Sequence, residues 1–260
     1  FNLSPSFAKE YGILNPPGTI ALPLPNSNRG LVSLGANARL SVAGMIVDDT
    51  GFNSSLAGLP TVIHGGNIKI TTYSADLAQG SIIDASGGLH VDAKAKNIYG
   101  NGGSISLITG RDISIPNVTG GYLILGSELM GYAGGTGASL SIQAGPIKIG
   151  GTATNGVLAI DPAFFTQGGF SQYSITGIGK ALGAPTTTGQ IESYISGVQI
   201  AENTVIRPIA ESLIAIRDNG ASGSISLVKY LKEDALRKPT SISFNALGYD
   251  DSFTIDTLEA

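Results

Sequence analysis

Short runs in which apolar and polar residues alternate recur along the chain from residue 31 onward. The stretch GGNIKITTYSADLAQGSIIDASGG at 65–88 contains two such runs, and each is bordered by glycine. Alternation with a period of two is the signal of a strand with one buried face. On this pattern strands are predicted at 31–35, 38–44, 66–72, 80–85, 89–93, 103–109, 112–115, 122–125, 138–144, 147–150, 157–161 and 173–177.

One strand motif returns at a nearly constant interval. GGNIKI at 65–70, GGSISL at 102–107 and TGASLSI at 136–142 are variants of it, about 35–37 residues apart, and SGSISL at 222–227 is a fourth. An interval of this length holds two or three short strands, which favours a stacked solenoid. Hairpins would require tight Asn-Gly or Asp-Gly turns, and few are present.

We therefore predict an all-β fold, specifically a right-handed parallel β-helix. Inward-facing Ile, Leu and Val would stack in columns, and strands of successive coils would lie about 4.8 Å apart. An antiparallel β-sandwich is the alternative, because the same alternation suits it. The expected organisation is an extended lead-in segment at 1–30, a β-helix shaft at 31–177, and an irregular β-rich continuation or cap at 178–260.

The pattern weakens after residue 178. Residues 183–190, GAPTTTGQ, have the composition of a loop, and 208–218 is ambiguous between helix and strand. KYLKEDALRK at 229–238 predicts a short helix ended by Pro239. Strands are expected to return at TSISFNA and SFTID.

Composition narrows the classes of function. The chain has 260 residues, 37 of them Gly and none Cys, with a net charge of −4. The negative charge argues against a nucleic-acid partner, and the lack of Cys excludes disulfides and thiolate metal sites. No apolar run is long enough for a membrane-spanning helix. Because the chain starts without Met or a signal peptide, we expect it to be an internal or carboxy-terminal piece of a longer protein.

Two kinds of segment carry a resemblance to a known family. GSIIDASGG (80–88) and GNGGSISLITGRDISI (100–115) resemble the glycine-punctuated repeats of filamentous-haemagglutinin-like exoproteins, bacterial surface adhesins exported by two-partner secretion. VLAIDPAFFTQGGFSQYSITG (157–177) and LRKPTSISFNA (236–246) resemble blocks near the carboxy terminus of long family members. The resemblance covers roughly residues 31–250.

This resemblance implies a right-handed β-helical shaft, an outer-membrane secretion transporter as a partner, and a role in attachment or biofilm formation at the cell surface. The amino-terminal secretion domain of the family is not evident. NPPGTI at 15–20 is only loosely similar to its Asn-Pro-Asn-Gly-Ile signature, so we place no transporter-recognition site there. GRD at 110–112 is not an Arg-Gly-Asp motif.

Candidate chemistry is sparse. His64 and His90 would form a metal site only if stacking brought them together with a carboxylate, and turn or solvent-facing positions are expected instead. A polysaccharide-cleaving cluster would need acidic and basic side chains on one face. The candidates for such a cluster are Asp48, Asp49, Asp84, Asp92, Asp112 and Asp161 with Lys69, Lys94, Lys96 and Arg111. We expect these residues instead to cap turns or to lie on solvated faces.

Other motifs add little. DDTGFNSS (48–55) and GGLHVDAKA (87–95) lack the ligand spacing of calcium loops, and no nucleotide-binding or nucleophile motif is present. A cluster of aromatic residues is expected to cover the core, with a ligand-contacting patch as the alternative. It consists of Tyr122, Tyr132, Phe164, Phe165, Phe170 and Tyr173.

The predicted function is that of a structural and adhesive segment of an exported bacterial surface fibre. We expect no enzymatic activity, no catalytic residues, no metal and no cofactor, and the ligand-binding residues are unknown. Expected partners are the transporter and a host-cell, bacterial or glycan surface, and self-association into fibres is a further candidate interaction. The alternatives are a β-helical polysaccharide lyase or hydrolase and a self-assembling extracellular filament subunit.

Overall fold

The computed structural model describes residues 29–50, 62–114, 118–152, 154–182, 193–218 and 223–248. Within these ranges the chain is all-β, with short 3-10 helices at Pro162–Thr166 and Asp234–Leu236. Residues 1–28 of the lead-in predicted at 1–30, the loop predicted at 183–190 and the strand predicted at 252–256 lie outside the described residues. No helix in the described ranges is long and apolar enough to cross a membrane.

The strands are short, and most are three to six residues long. In chain order they are β1 (Leu31–Leu34), β2 (Arg39–Ser41), β3 (Ile46–Asp48), β4 (Asn67–Thr71), β5 (Ser74–Leu77), β6 (Ile82–Asp84), β7 (Leu89–Val91), β8 (Asn97–Tyr99), β9 (Ser104–Ile108), β10 (Leu123–Leu125), β11 (Glu128–Met130), β12 (Ser139–Ala144), β13 (Ile147–Ile149), β14 (Leu158–Ile160), β15 (Gln172–Ile178), β16 (Lys180–Leu182), β17 (Ser193–Ile195), β18 (Val198–Ile200), β19 (Ser212–Arg217), β20 (Ile225–Tyr230) and β21 (Ser241–Leu247).

The largest sheet is parallel throughout and contains the first three variants of the repeated motif. The fourth variant, at 222–227, does not join it, because its strand residues begin β20, which pairs with β19 in an antiparallel hairpin. The order of the largest sheet is β21-β15-β12-β9-β4, so strands separated by one return of the motif are neighbours. The pairing is in register, and equivalent residues therefore stack. Two apolar columns result, which consist of Ile68, Ile105, Leu140, Tyr173 and Ile242, and of Ile70, Leu107, Ile142, Ile175 and Phe244.

The polar positions of the same strands stack on the opposite face. One column consists of Lys69, Ser106, Ser141, Ser174 and Ser243. Because successive strand residues point to opposite faces of a sheet, the alternation in the sequence becomes one buried and one solvated face. The apolar columns contribute most of the buried core, which continues into Leu77, Ile83 and Ile149.

Three further parallel arrangements repeat in the same chain order. β1, β5 and β10 form one sheet, β2, β6 and β11 form a second, and β3 pairs with β7 in a third. We call each round of the chain through these sheets and the largest sheet a pass. The first pass (β1 to β4) visits all four sheets, the second (β5 to β9) visits them in the same order, and the third (β10, β11 and β12) visits three of them. This parallel pairing is incompatible with the antiparallel β-sandwich alternative. The antiparallel pairs among the described residues are β7–β8, β16–β17 and β19–β20.

Glycines allow the successive passes of the chain to approach closely. A Cβ atom added to Gly103 would overlap the backbone carbonyl of Gly66, which accepts the Ser104 N–H at 3.1 Å. A Cβ atom on Gly121 would likewise overlap the carbonyl oxygen of Tyr73. At these positions glycine is needed for space rather than for an unusual φ angle.

The stack is interrupted once. In the second apolar column, from Ile70 to Ile175, consecutive stacked residues are 37, 35 and 33 positions apart in the sequence. The next residue of the column, Phe244, follows only after a much longer segment of chain. The chain between β15 and β21 contributes β18 to a sheet with β13 and β14, and it also forms the β19–β20 hairpin. The domain boundaries at 30 and 178 stay predictions.

Most predicted strands are confirmed, but two predictions are wrong. Residues 112–114 of the strand predicted at 112–115 are not in a strand, because the Asp112 side chain turns the chain by accepting the Ser114 N–H at 2.8 Å. The helix predicted at 229–238 is replaced by the end of β20 and the 3-10 helix Asp234–Leu236. Pairing of β20 with β19 overrides the local helix pattern.

The ambiguous segment 208–218 contains strand β19, and 240–246 lies largely in β21. The sequence pattern missed seven strands, β3, β5, β8, β11, β16, β17 and β18. Six of these have only three residues, and β5 (SADL) contains a buried Ser and Ala instead of two large apolar residues. Such strands depend on their neighbours rather than on their own pattern.

Candidate functional site

The predicted carboxylates do not come together in one cluster. Asp84 is nearly buried, with its side chain 4% exposed, and its Oδ2 accepts from Arg39 at 2.6 Å. Asp112 accepts from Arg29 at 3.1 Å in a second, largely buried pair. In a buried position an ionised carboxylate requires such a partner, which accounts for both residues without catalysis.

Asp48 and Asp49 lie together but have different partners. Arg217 lies 2.9 Å from Oδ2 of Asp48, while Oδ1 accepts from the backbone N–H of Thr50 at 3.0 Å and from its hydroxyl at 2.6 Å. Asp49 lies 2.7 Å from Nε2 of His90. Residues 51–55 of the candidate calcium loop lie outside the described residues.

The other two candidate carboxylates cap turns. Asp92 accepts from the backbone nitrogens of Lys94 and Lys96 at 2.9 and 2.8 Å, and Asp161 accepts from that of Ala163 at 2.8 Å. Asp92 therefore has the role of a turn cap rather than of a calcium ligand in GGLHVDAKA. Hydrogen bonds from these nitrogens hold the pKa of Asp92 below its usual value.

The remaining candidates are also dispersed. His64 accepts the Asn101 N–H at 2.9 Å through Nδ1, whereas His90 faces Asp49. Lys69, which is exposed, lies on β4, and Arg111 forms an isolated bridge with Thr119. In the described ranges no three His, Asp or Glu side chains are grouped so that they could hold a metal ion.

The β19–β20 hairpin lies along the stack of parallel strands, and we call it the strap. Leu213 donates its N–H to Ala133 at 3.1 Å, and Ala215 donates to the hydroxyl of Tyr99 at 3.0 Å. Arg217 at the far end of β19 reaches Asp48. The contacts thus run from the pass that contains β11, through β8, to the pass that contains β3, and they tie three passes together.

The ion pair at the end of the strap makes a pH-dependent contribution to stability. The hydrogen bond from Arg217, supported by those from Thr50, lowers the pKa of Asp48 from 3.8 to about 2. A carboxyl group with a lowered folded-state pKa stabilises the protein above its unfolded-state pKa, and this effect is lost as the pH falls toward 2. Because 32% of the side chain is exposed, solvent screening limits the effect to about 1 kcal/mol.

We expect Asp48→Asn to lower the free energy of unfolding by about 1 kcal/mol at pH 6, and we expect this difference to shrink as the pH falls through 3.8 toward 2. Urea unfolding of both proteins across this pH range measures the difference. In Arg217→Gln, the NMR titration midpoint of Asp48 should move up from about 2 toward its usual value. A midpoint near 3.8 in the unmutated protein would contradict the pairing.

A groove lies where the strap meets the parallel strands and the first 3-10 helix. Its first lobe has a volume of about 410 Å³ and is lined by residues that include Leu125, Glu128, Tyr132, Phe164, Gln167 and Lys229. A second lobe of about 390 Å³ shares Leu125, Phe164 and Gln167 with the first and adds Asp161. We call the two lobes together the aromatic groove.

The wall formed by Phe164 and Gln167 is built by local capping. Asp161 caps the 3-10 helix, Pro162 occupies its first turn, and Gly168 and Gly169 follow with φ angles of 74° and 70°. The hydroxyl of Tyr173 donates to the carbonyl of Gln167 at 3.1 Å. Burial raises the pKa of Tyr173, so the hydroxyl keeps the proton that this hydrogen bond requires.

An ion pair also lines the first lobe. Nζ of Lys229 lies 4.3 Å from the centre of the Tyr132 ring and 3.6 Å from the Glu128 carboxylate. Tyr132, and to a smaller extent Glu128 and Glu211, raise the pKa of Lys229, so its ammonium group remains charged. About half of the Glu128 and Lys229 side chains is exposed, so their polar atoms are accessible from the groove.

The predicted aromatic cluster is mainly core. Phe165, Phe170 and Tyr173 are buried and pack edge to face, with ring centres 5.3 to 5.8 Å apart for the pairs that include Tyr173. Phe164 is half-buried and lines both lobes, whereas Tyr122, 38% exposed, lies in a different surface pocket. The cluster therefore covers the core, and only its rim borders the groove.

Sequence reasoning missed Glu128, Gln167 and Lys229 as groove residues. Lys229 lies about a hundred residues from Glu128 along the chain, and no motif links them. The only relevant signal was the aromatic cluster, which marks the neighbourhood of the groove but not its polar rim.

Comparisons with known proteins give no match. No protein-family model, curated protein or solved structure is similar to the chain at a significant level.

Proposed function

We propose that the chain is a structural and adhesive segment of an exported bacterial surface fibre, and that it folds as a right-handed parallel β-helix. The observation that carries the proposal is the in-register stacking of β4, β9, β12, β15 and β21. A stack of this kind grows in length with each added coil, and its stability comes from contacts between neighbouring coils. Such a chain suits a rigid spacer.

The handedness follows from a general property of parallel strands. Crossover connections between parallel strands of one sheet are right-handed in about 98% of cases. Each pass from β4 to β9 or from β9 to β12 is such a connection. We therefore assign the same hand to the whole stack.

The separate partners of the candidate carboxylates support a non-enzymatic role. Asp84, Asp112, Asp48 and Asp49 each face a different basic side chain, and Asp92 and Asp161 cap turns. General acid–base cleavage of a polysaccharide needs two such groups on opposite sides of one bond. This distribution favours the adhesive proposal over the lyase or hydrolase alternative.

The proposed location is the bacterial cell surface, and the proposed partners are an outer-membrane transporter during export and a host-cell, bacterial or glycan surface afterwards. Polystyrene beads coated with the purified chain test the adhesive role. We expect them to attach to cells or glycan-coated slides more than beads coated with albumin. Equal attachment of both bead types would contradict it, as would release of new sugar ends from polysaccharide by the chain.

A further inference from the structure

The aromatic groove has the composition of a sugar-binding site. The half-buried Phe164 lines both lobes, and the lobes are also lined by an amide, carboxylates and an ammonium group. Sugar hydroxyls both donate and accept hydrogen bonds, so they can pair with Gln167, Glu128 and Lys229 together. The apolar faces of sugar rings pack on aromatic side chains.

The dimensions of the groove indicate more than one ring. Each lobe lies near the lower end of the range of about 300–1,000 Å³ that is typical of small-molecule sites, with volumes of 410 and 390 Å³. The two lobes share Leu125, Phe164 and Gln167 in their linings, so a chain-like ligand that lay across these residues would reach both. A short oligosaccharide has this shape.

The charges along the groove select against acidic ligands. Glu128 lies in the first lobe and Asp161 in the second, whereas Lys229 provides the positive charge. Lys229 is already paired with Glu128 and lies over Tyr132. A sulfated or uronic-acid saccharide would face net repulsion from the remaining carboxylate, whereas a neutral one would not.

We propose that the aromatic groove binds a neutral oligosaccharide of two to three hexose or N-acetylhexosamine units. The ring of Phe164 supports the sugar at the junction of the lobes, and Gln167 hydrogen-bonds to its hydroxyls. Glu128 and Lys229 bind the end of the ligand in the first lobe. This inference rests on the proposed adhesive function and names the class of ligand that it would use.

Titration of the isotopically labelled full chain with chitotriose, maltotriose and trigalacturonate tests the site by NMR. We expect a neutral trisaccharide to shift the signals of Gln167 and Lys229 and to bind more tightly than trigalacturonate. Gln167→Ala should weaken binding about tenfold, because it removes a hydrogen-bonding group at the junction. Gln199→Ala, at an exposed position outside the groove, is the matched control and should leave binding unchanged.

A second pair of variants examines the charge. Glu128→Gln should weaken the neutral trisaccharide only a fewfold, because the amide keeps an acceptor, and should increase the affinity for trigalacturonate. Glu202→Gln, exposed elsewhere, should change neither. The proposal is overturned if neither neutral trisaccharide binds, if trigalacturonate binds more tightly to the unmutated chain, or if Gln167→Ala leaves binding unchanged.

The bead assay separates this proposal from the adhesive function. Beads that attach to cells although chitotriose and maltotriose neither bind nor compete would overturn the groove assignment and leave adhesion standing. If trisaccharides bind to the groove but the beads do not attach, the groove assignment stands and the adhesive function is contradicted.

Discussion

Gly103→Ala is expected to lower the free energy of unfolding by about 3 kcal/mol. The added methyl group would overlap the carbonyl oxygen of Gly66 on the neighbouring strand. The carbonyl oxygen belongs to the backbone, so no neighbouring side chain can move aside to relieve the overlap. Relief requires the two passes to separate, which weakens the hydrogen bond from Ser104 to Gly66.

Gly35→Ala is the matched control for this substitution. A Cβ atom at Gly35 would have no heavy atom within 4 Å, and its φ angle is not positive. Loss of glycine there should stabilise the chain by up to about 1 kcal/mol, because the unfolded state loses conformational freedom. If the passes are stacked, urea unfolding should show changes in the free energy of unfolding that have opposite signs in the two variants. Similar small changes in both would contradict the close approach of Gly103 to Gly66.

Ile142→Ala is expected to destabilise the protein by about 3–4 kcal/mol. Ile142 lies on the central strand β12 and is 0% exposed. It is paired with Leu107 on one side and Ile175 on the other, so truncation leaves a cavity in the middle of an apolar column. Neighbouring strands are fixed by their hydrogen bonds and cannot close this space.

The control is the same substitution on an exposed face. Ile124 on β10 is 51% exposed, and Ile124→Ala should cost less than about 1 kcal/mol. The urea midpoint of both variants measures the difference directly. Equal losses of stability in the two variants would contradict the claim that Ile142 stabilises the protein by packing in the apolar column.

The repeated strands were predictable because their signal is local. Ile105 and Leu107 alternate with serines, so β9 has an apolar face whatever it packs against, and the same holds for β12. The spacing of the motif indicated that such strands return to one place. Parallel neighbours in register follow once each return places the same residue type on the same face.

The pairing of the strap was not predictable from such signals, although SGSISL at 222–227 had indicated a strand that overlaps β20. β20 contains KY at its end, followed by LKEDALRK, which locally favours a helix. The structure instead pairs Val228 with Ile214 and places Lys229 over Tyr132. Lys229 and Tyr132 lie about a hundred positions apart in the sequence, and no periodicity in the chain indicates that they are in contact. The same reason explains why the rim of the aromatic groove was missed.

For the carboxylates, only part of the arrangement was predictable from the sequence. Their types and positions in the sequence were evident, but their partners were not. Asp84 is paired with Arg39 and Asp112 with Arg29, across 45 and 83 residues. A sparse, mixed set of charges can form either one active cluster or several separate pairs. Only the register of the strands decides which of these forms.

A distance measurement along the five-stranded sheet tests the stacking most directly. Because the chain has no Cys, spin labels can be attached at Lys69→Cys and Ser243→Cys without a competing site. Both positions are exposed and belong to the same polar column, four strand intervals apart. At about 4.8 Å per interval, the backbones should be separated by about 19 Å, which pulsed electron paramagnetic resonance can resolve. A single distribution centred near that distance would support the stacked solenoid, and a much longer or multiple separation would contradict it.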